Sequence, residues 1–329
     1  MLGYRGRYHV KTIPPERYHI MTEPIAFDSA REFLSTLRPS HPRWESQGSP
    51  WNRDWVFRGQ RDASWKIEPS AWRPEIEQHQ LFKVFSKEYS DDNASNMVRS
   101  HASYFKGSDS HNQATARRLY AFKKFEYYTA KQFIELADEI GFRVPEARKH
   151  IEGVFRYSEP FSAPATIADN LPVEEFSDAI LLAQHHGIAT RFVDWARDPI
   201  IAACFAAQGW EGDSDITVYG LNTVKARHTQ YRLITPTRFE FGFLHAQGGL
   251  FTVRFAADAE FCANGVWPNI EDELETDVIQ KLVLRAECVE ELKQLLWLER
   301  RTRAHLMPTL DNVTATLNEL WDGSPQPED

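Results

Sequence analysis

Hydrophobic positions recur along this chain with two periods, and each period predicts a different kind of element. Phe33, Leu34 and Leu37 follow Asp28 at helical spacing, so we expect a helix capped by Asp28 over residues 29–37. Short runs rich in β-branched and aromatic residues, bounded by turn formers, indicate strands. The clearest helices are predicted over 29–37, 81–89, 114–137 and 288–298, and the clearest strands over 55–60, 216–221 and 278–286.

The few short strands among many helical stretches predict an α+β fold. We expect a small sheet, mixed or mostly antiparallel and split, surrounded by helices. Residues from about 75 to 150 are expected to form a helical insertion, because helical periodicity there is interrupted by polar breaks. The predicted organisation is an N-terminal arm over 1–27, one domain over 28–320 and a polar tail over 321–329.

The stretch from 181 to 207 interleaves ionisable residues with apolar runs. Two histidines, two arginines, two aspartates and a tryptophan lie between residues that seek burial. Polar groups are costly to bury unless they find partners. The mixture therefore indicates the floor of a pocket rather than an ordinary core element.

Local signals divide this stretch into a helix, a strand and a second helix. Gly187 is expected to end the first helix with a positive φ, and 188–193 has the composition of a buried strand. Asp194 is expected to cap the second helix, and Pro199 is tolerated in an early turn. Residues 200–207 are almost wholly apolar, which predicts burial on most sides.

The composition mainly excludes classes of function. The formal net charge is −9 and the pI is about 5.8, so broad nucleic-acid binding is not expected. Hydrophobic residues make up 42% and charged residues 26%, as in soluble globular proteins. No run approaches the roughly 18 apolar residues of a membrane span. We therefore expect a cytoplasmic protein without membrane association.

Metal chemistry is not expected either. Cys204, Cys262 and Cys288 lie far apart, which does not fit a zinc knot or a disulfide framework. The adjacent His185 and His186 cannot share one helix face, so they make a poor metal site. The sequence also lacks the common phosphate-loop, dinucleotide-binding, zinc-protease and serine-hydrolase motifs.

Candidate binding chemistry remains at Arg58 and at Gln247. Arg58 ends a predicted strand beside a glycine, where its guanidinium could reach a phosphate or carboxylate. A structural ion pair with Asp194 or Asp198 is the alternative for Arg58. Gln247 precedes two glycines and could instead be a buried amide at a β-bulge.

Three motifs resemble the FRG domain family. They are W-V-F-R-G-Q at 55–60, A-Q-H-H-G-x-x-T-R-x-x-D-W at 183–195 and A-Q-x-G-x-F at 246–251. Ala196 departs from the pattern, which usually has a threonine there. The resemblance implies a role in bacterial or phage conflict, as a toxin-like effector or a sensor, and a protein partner such as an antitoxin.

The constellation is also similar to the layout of ADP-ribosyltransferases, which implies NAD as co-substrate. On that likeness Arg58 binds the NAD pyrophosphate or orients its ribose, while Thr190 and Arg191 shape the nucleotide pocket. Trp195 would stack on a ring, and Asp194 would fix an arginine or polarise the acceptor.

The same likeness places Gln247 at the third-strand position, where such enzymes usually carry a glutamate. An amide has no charge with which to stabilise an oxocarbenium-like sugar, and Glu240 is a candidate substitute. The alternative is a non-catalytic module that binds a nucleotide, a nucleic-acid end or a protein. A hydrolase acting through Asp194 and a histidine is a third hypothesis. A catalytic site predicts convergence of Arg58, Asp194 and Gln247 on one cleft, whereas a scaffold predicts burial of the pair without a cavity.

Overall fold

The computed structural model describes residues 23–46, 53–145, 178–236, 249–254, 256–271, 274–275 and 277–322. Within these ranges the helices and strands lie in the order that the hydrophobic periods suggest. The strands are β1 (Ile25–Phe27), β2 (Trp55–Gln60), β3 (Val193–Trp195), β4 (Ile216–Asn222), β5 (Tyr231–Ile234), β6 (Leu250–Arg254) and β7 (Ile279–Leu284). The helices are α1 (Ala30–Thr36), α2 (Pro74–Gln78), α3 (Gln80–Glu88), α4 (Asp91–Ser100), α5 (Asp109–Glu139), α6 (Asp178–His185), α7 (Pro199–Ala207), α8 (Thr223–Ala226), α9 (Ala257–Asn264), α10 (Val289–Leu298), α11 (Arg303–Leu306) and α12 (Leu310–Asp322).

Within these ranges the strands form two sheets. The larger sheet has the order β1-β7-β4-β2, in which β1 runs parallel to β7 and the other pairs are antiparallel. The smaller sheet has the order β3-β6-β5 and is antiparallel. The predicted α+β class, with a small split sheet surrounded by helices, is confirmed.

A β-bridge joins the two sheets, between β2 and the residue that follows β3. The backbone N–H of Phe57 donates to the carbonyl of Ala196 at 2.7 Å, and the N–H of Ala196 donates back at 2.7 Å. Arg58 follows Phe57 and Asp194 lies in β3, so this bridge places the two side chains on facing strand edges.

Helix α7 packs directly onto β2 because Gly59 has no side chain. A Cβ at Gly59 would lie 1.9 Å from the carbonyl oxygen of Ala202, which is far inside van der Waals contact. All residues of α7 except Phe205 are buried, as the apolar run predicted. The helix thus forms a rigid back wall behind the strand that carries Arg58.

Helices α2 to α5 form a layer beside the sheets, and the long helix predicted over 114–137 lies inside α5. Much of its hydrophobic core is made up of Phe82, Phe85, Leu119, Phe122 and Phe125. Burial of this apolar surface is the main source of its stability. Among the described residues, no helix combines the length and apolar character that a bilayer-spanning helix needs.

Two local predictions in the central stretch are wrong. The strand expected over 188–193 lies at Val193–Trp195, because side-chain hydrogen bonds hold the preceding residues in a loop. Asp194 is therefore a strand residue and not a helix cap. Asp198 caps α7 instead, accepting a hydrogen bond from the N–H of Ile200 at 2.9 Å.

The cap of α1 is also displaced by one residue. Ser29, not Asp28, accepts from the N–H of Glu32, because the first helical residue is Ala30. By contrast, Gly187 has the predicted positive φ, 92°, directly after α6. The predicted strands at 55–60, 216–221 and 278–286 correspond to β2, β4 and β7.

Candidate functional site

A cavity of about 210 Å³ opens where the two sheets meet. Strand β2 contributes Phe57, Arg58 and Gly59 to its lining, and β3 contributes Asp194 and Trp195. The end of α6, one face of α7, the start of β6 and Met307 at the end of α11 complete the walls. Every wall is therefore a regular element or its immediate end, which holds the lining side chains in place.

The cavity lining combines aromatic and polar side chains. Phe57 and Phe205 come from the β2 and α7 side, and Phe251 comes from β6. The polar side chains are those of Arg58, Asp194 and two residues at the end of α6, Gln184 and His185. A mostly apolar cleft with a few convergent polar groups is the usual form of a small-molecule site.

Arg58 and Asp194 form an ion pair at this site. Arg58 Nη1 lies 2.6 Å from Asp194 Oδ1 and also donates to the Asp194 carbonyl oxygen at 3.1 Å. The Arg58 side chain is 14% exposed, whereas that of Asp194 is 66% exposed. The ion pair that was the structural alternative for Arg58 is therefore present, with Asp194 as the partner, and a ligand-binding role of Arg58 stays a prediction.

One hydrogen-bond donor of the Arg58 guanidinium is unsatisfied among the described residues. Its Nε is buried and has no hydrogen-bond partner among the described residues. A buried donor without a partner costs about 1–3 kcal/mol. The contacts described for Arg58 therefore leave one guanidinium donor unsatisfied.

Asp194 is held in its charged form. Loss of hydration raises the pKa of its carboxyl group, but the charge and hydrogen bond of Arg58 outweigh this, and Arg73 adds to the effect. The pKa of Asp194 therefore lies below its ordinary value. Burial, followed by the neighbouring charge of Arg58, lowers the pKa of Arg73.

His185 presents an uncharged imidazole to the same cavity. Burial lowers its pKa, the nearby His186 lowers it further, and Asp194 opposes both. A histidine whose pKa lies below its usual value is neutral at pH 7, and a neutral imidazole can accept a proton.

Thr190 is placed behind the site rather than in it. It is fully buried, and its hydroxyl donates to Gln184 Oε1 at 2.5 Å. Its N–H donates to Ser70 Oγ at 3.1 Å, and Gln184 Nε2 donates to the carbonyl of Phe192. These bonds fold the loop between α6 and β3 into one shape, which positions Asp194.

Arg191 lies in a buried ionic network. Its Nε lies 2.8 Å from Glu126 Oε2, and its Nη1 lies 3.4 Å from Asp258 Oδ1. Lys123 Nζ lies 2.9 Å from the other oxygen of Asp258. The network ties the motif loop to α5 and α9. A nucleotide-pocket role for Thr190 and Arg191 stays a prediction, since neither side chain lines the cavity.

Trp195 lies at the edge of the cavity with its ring in the core. Its side chain belongs to a buried cluster, and the residue is 2% exposed. Its Nε1 donates to Thr252 Oγ1 at 2.9 Å. Stacking of this ring on a ligand stays a prediction, and the structure leaves little of the ring open for it.

Gln247 and Glu240 lie outside the described residues, so the third-strand prediction is untested. The strand that follows is described. Gly249 and Phe251 line the cavity, and Phe251 of β6 pairs with Asp194 of β3.

Sequence reasoning did not single out Gln184, Phe205 and Met307 as ligand-facing, although all three line the cavity. Gln184 and Phe205 belong to the same motif stretch as Asp194, so their place in that motif was the available signal. Met307 comes from a distant segment, which tertiary packing brings to the cavity. Among the described residues, no group of three or more histidine, cysteine or acidic side chains could hold a metal ion.

No curated protein and no solved structure matches the chain significantly. A protein-family model does match, and the matched segment includes Gln184, His185, Asp194 and Phe205 but not Arg58. That family model is the FRG domain, and it matches residues 141–214 of this chain.

Proposed function

We propose that the cavity between the two sheets binds a nucleotide with a phosphate on Arg58. In its more specific form the proposal is that the ligand is NAD, used in ADP-ribosyl transfer or NAD cleavage. The observation that carries it is the convergence of Arg58, Asp194 and His185 on one cavity with an aromatic wall.

The size and lining of the cavity favour a flat ring. Its volume of about 210 Å³ is below the roughly 300–1,000 Å³ of sites that enclose a whole drug-sized ligand. A ring with part of a ribose would fill it, and the remainder of a dinucleotide would extend over the mouth. Phe57, Phe205 and Phe251 supply apolar surface against which a ring can pack.

The polar groups suit cleavage of a glycosidic bond to nicotinamide. In that reaction the bond between ribose C1′ and the ring nitrogen breaks, and the electron pair leaves with nicotinamide. Oxygen from water or from an acceptor hydroxyl then bonds to C1′ and gives up a proton. The Asp194 carboxylate could stabilise the positive sugar, and neutral His185 could accept the proton.

A second candidate, a nucleotide-binding or sensing module without turnover, is favoured by one observation. Within the described lining of the cavity, Asp194 is the one carboxylate, and Arg58 already neutralises part of its charge. A paired carboxylate stabilises a developing cation less than a free one does. Recognition of a nucleic-acid end or a protein segment at the same site belongs to this alternative.

The biological setting is part of the proposal and rests on the FRG match. We expect a cytoplasmic protein of a bacterial or phage conflict system, with toxin-like activity restrained by a protein partner such as an antitoxin. Residues 28–320 are expected to act as one domain.

The direct test is NAD binding and turnover by the purified protein. A thermal shift reports binding, and released nicotinamide reports cleavage. We expect Arg58→Ala to reduce release by about 10²-fold, the usual effect of removing one stabilising donor. Arg31→Ala, which removes an exposed arginine paired with Glu291, is the matched control and should leave release unchanged.

The outcomes separate the two candidates. A shift without nicotinamide release, lost in Arg58→Ala, favours the binding module. Neither shift nor release with NAD, ADP or AMP, in a folded native protein, would overturn the nucleotide proposal.

A further inference from the structure

The ion pair at the cavity is asymmetric in a way that bears on ligand entry. The Arg58 side chain is 14% exposed and that of Asp194 is 66% exposed, so the cation is enclosed and the anion is open to the cavity. We therefore expect the carboxylate to rotate more readily than the enclosed guanidinium can move.

Arg58 also has an anchor that does not depend on the carboxylate. Its Nη1 donates to the backbone carbonyl of Asp194 at 3.1 Å. This oxygen is fixed by β3, which pairs with β6. Arg58 therefore keeps one of its two bonds to Asp194 when the carboxylate leaves.

Arg73 gives the departing carboxylate a second cation nearby. Ser70, three residues before Arg73, is tied to Thr190 by two hydrogen bonds, which holds this segment against the motif loop. The charge of Arg73 acts on both Arg58 and Asp194, and Glu75 and Glu68 also act on Arg73.

We infer that the Asp194 carboxylate is a displaceable counter-ion, which the phosphate of an entering nucleotide replaces on Arg58. This inference rests on the proposed nucleotide site and assigns Asp194 a part in ligand selection. Displacement favours a phosphate, because its greater charge and extra acceptor oxygens outcompete the carboxylate. A ligand that brings one carboxylate gains little from the exchange, so the site selects for phosphate-bearing ligands.

The test is calorimetric titration of the full chain with ADP and with adenosine, which lacks the phosphates. Asp194→Asn removes the competing charge and keeps the backbone anchor. We expect it to tighten ADP binding by about tenfold, the scale of one charge-assisted hydrogen bond, and to leave adenosine binding within twofold. Asp277→Asn is the matched control, since Asp277 is a 55% exposed carboxylate paired with Lys225 outside the cavity lining.

A double variant links the effect to Arg58. In an Arg58→Ala background, Asp194→Asn should change ADP affinity by less than twofold, because the contested cation is gone. If Asp194→Asn does not fold, Asp194→Ala takes its place, and a thermal melt checks each variant.

The contrary outcomes are distinct from failure of the proposed function. If native protein binds ADP and the Asp194 variant binds it equally or more weakly, Asp194 positions Arg58 and the displacement inference is overturned while the nucleotide site stands. Equal tightening toward adenosine and ADP also overturns it, because the gain is then unrelated to phosphate. If neither the native protein nor any variant binds ADP, both proposals fail.

Discussion

Arginine and carboxylate side chains meet in two regions of this protein, and the regions differ in how completely their charges are matched. Arg191 is enclosed with Glu126, Asp258 and Lys123, two cations against two anions, all buried or nearly so. Arg58 meets one carboxylate that is largely exposed, and one of its donors has no described partner. The charges of the first region balance one another, whereas in the second region one guanidinium donor of Arg58 is unsatisfied among the described residues.

The difference teaches that a motif can contain both a scaffold and a site a few residues apart. Arg191 and Asp194 are separated by two residues, yet the Arg191 side chain lies in a buried ionic network and the Asp194 side chain is open to the cavity. Arg191 belongs to the loop before β3, whereas Asp194 lies within β3, where alternation leaves its side chain exposed between buried Val193 and Trp195.

The largest expected effect is that of Arg191→Ala. It leaves Glu126 and Asp258 buried with Lys123 as the remaining cation, and uncompensated buried charge is strongly unfavourable. We expect the free energy of unfolding to fall by about 3–5 kcal/mol in chemical denaturation. Arg58→Ala is the comparison variant and should cost clearly less. Equal losses in both variants would show that the two regions are alike and contradict the distinction.

The sequence predicted the parts of this picture that depend on local signals. Helical spacing located α1, α3, α5 and α10, and the apolar run of α7 indicated its burial. The mixture of charged and apolar residues marked the pocket floor, and the meeting of Arg58 with Asp194 was one of the alternatives weighed.

What the sequence did not predict depends on contacts between distant segments. The partners of Arg191 lie 65 and 67 residues away, and nothing local identifies them. The prediction of a strand over 188–193 was wrong for the same reason. Thr190 donates hydrogen bonds to Ser70 and Gln184, which hold it in a loop despite its β-branched side chain. Tertiary hydrogen bonds therefore outweigh the strand propensity of these residues.

A pH series should distinguish the buried region from the exposed one. Burial raises the pKa of Asp258, but Lys123 and Arg191 outweigh it and hold the pKa below its ordinary value. The stabilisation is therefore present above the unfolded pKa of about 3.9 and is lost as the pH falls below it.

We expect Asp258→Asn to be less stable than the native protein at pH 7, with the gap narrowing below about pH 4. Unfolding free energies from pH 7 down to the acid limit of the fold measure it. Lys225 pairs with Asp277 on the surface, so Asp277→Asn provides a control with a gap that stays small throughout. A gap for Asp258→Asn that is constant down to the acid limit would contradict the charged state assigned to this carboxylate.

The smallest expected change in stability belongs to Asp194→Asn, although this residue has the greater part in the proposed function. The Asp194 side chain is 66% exposed but Arg58 is 14% exposed, so the pair lies between the exposed class, worth about 0–1 kcal/mol, and the buried class, worth about 3–5 kcal/mol. We expect the free energy of unfolding to fall by less than about 2 kcal/mol. Arg58 remains anchored on the Asp194 carbonyl, which limits any wider disturbance of β2. A loss above about 2 kcal/mol would place this pair with the buried network, because removal of a buried ion-pair partner destabilises a fold that strongly. A small loss of stability together with a large change in ADP affinity is the combination that separates a binding residue from a structural one.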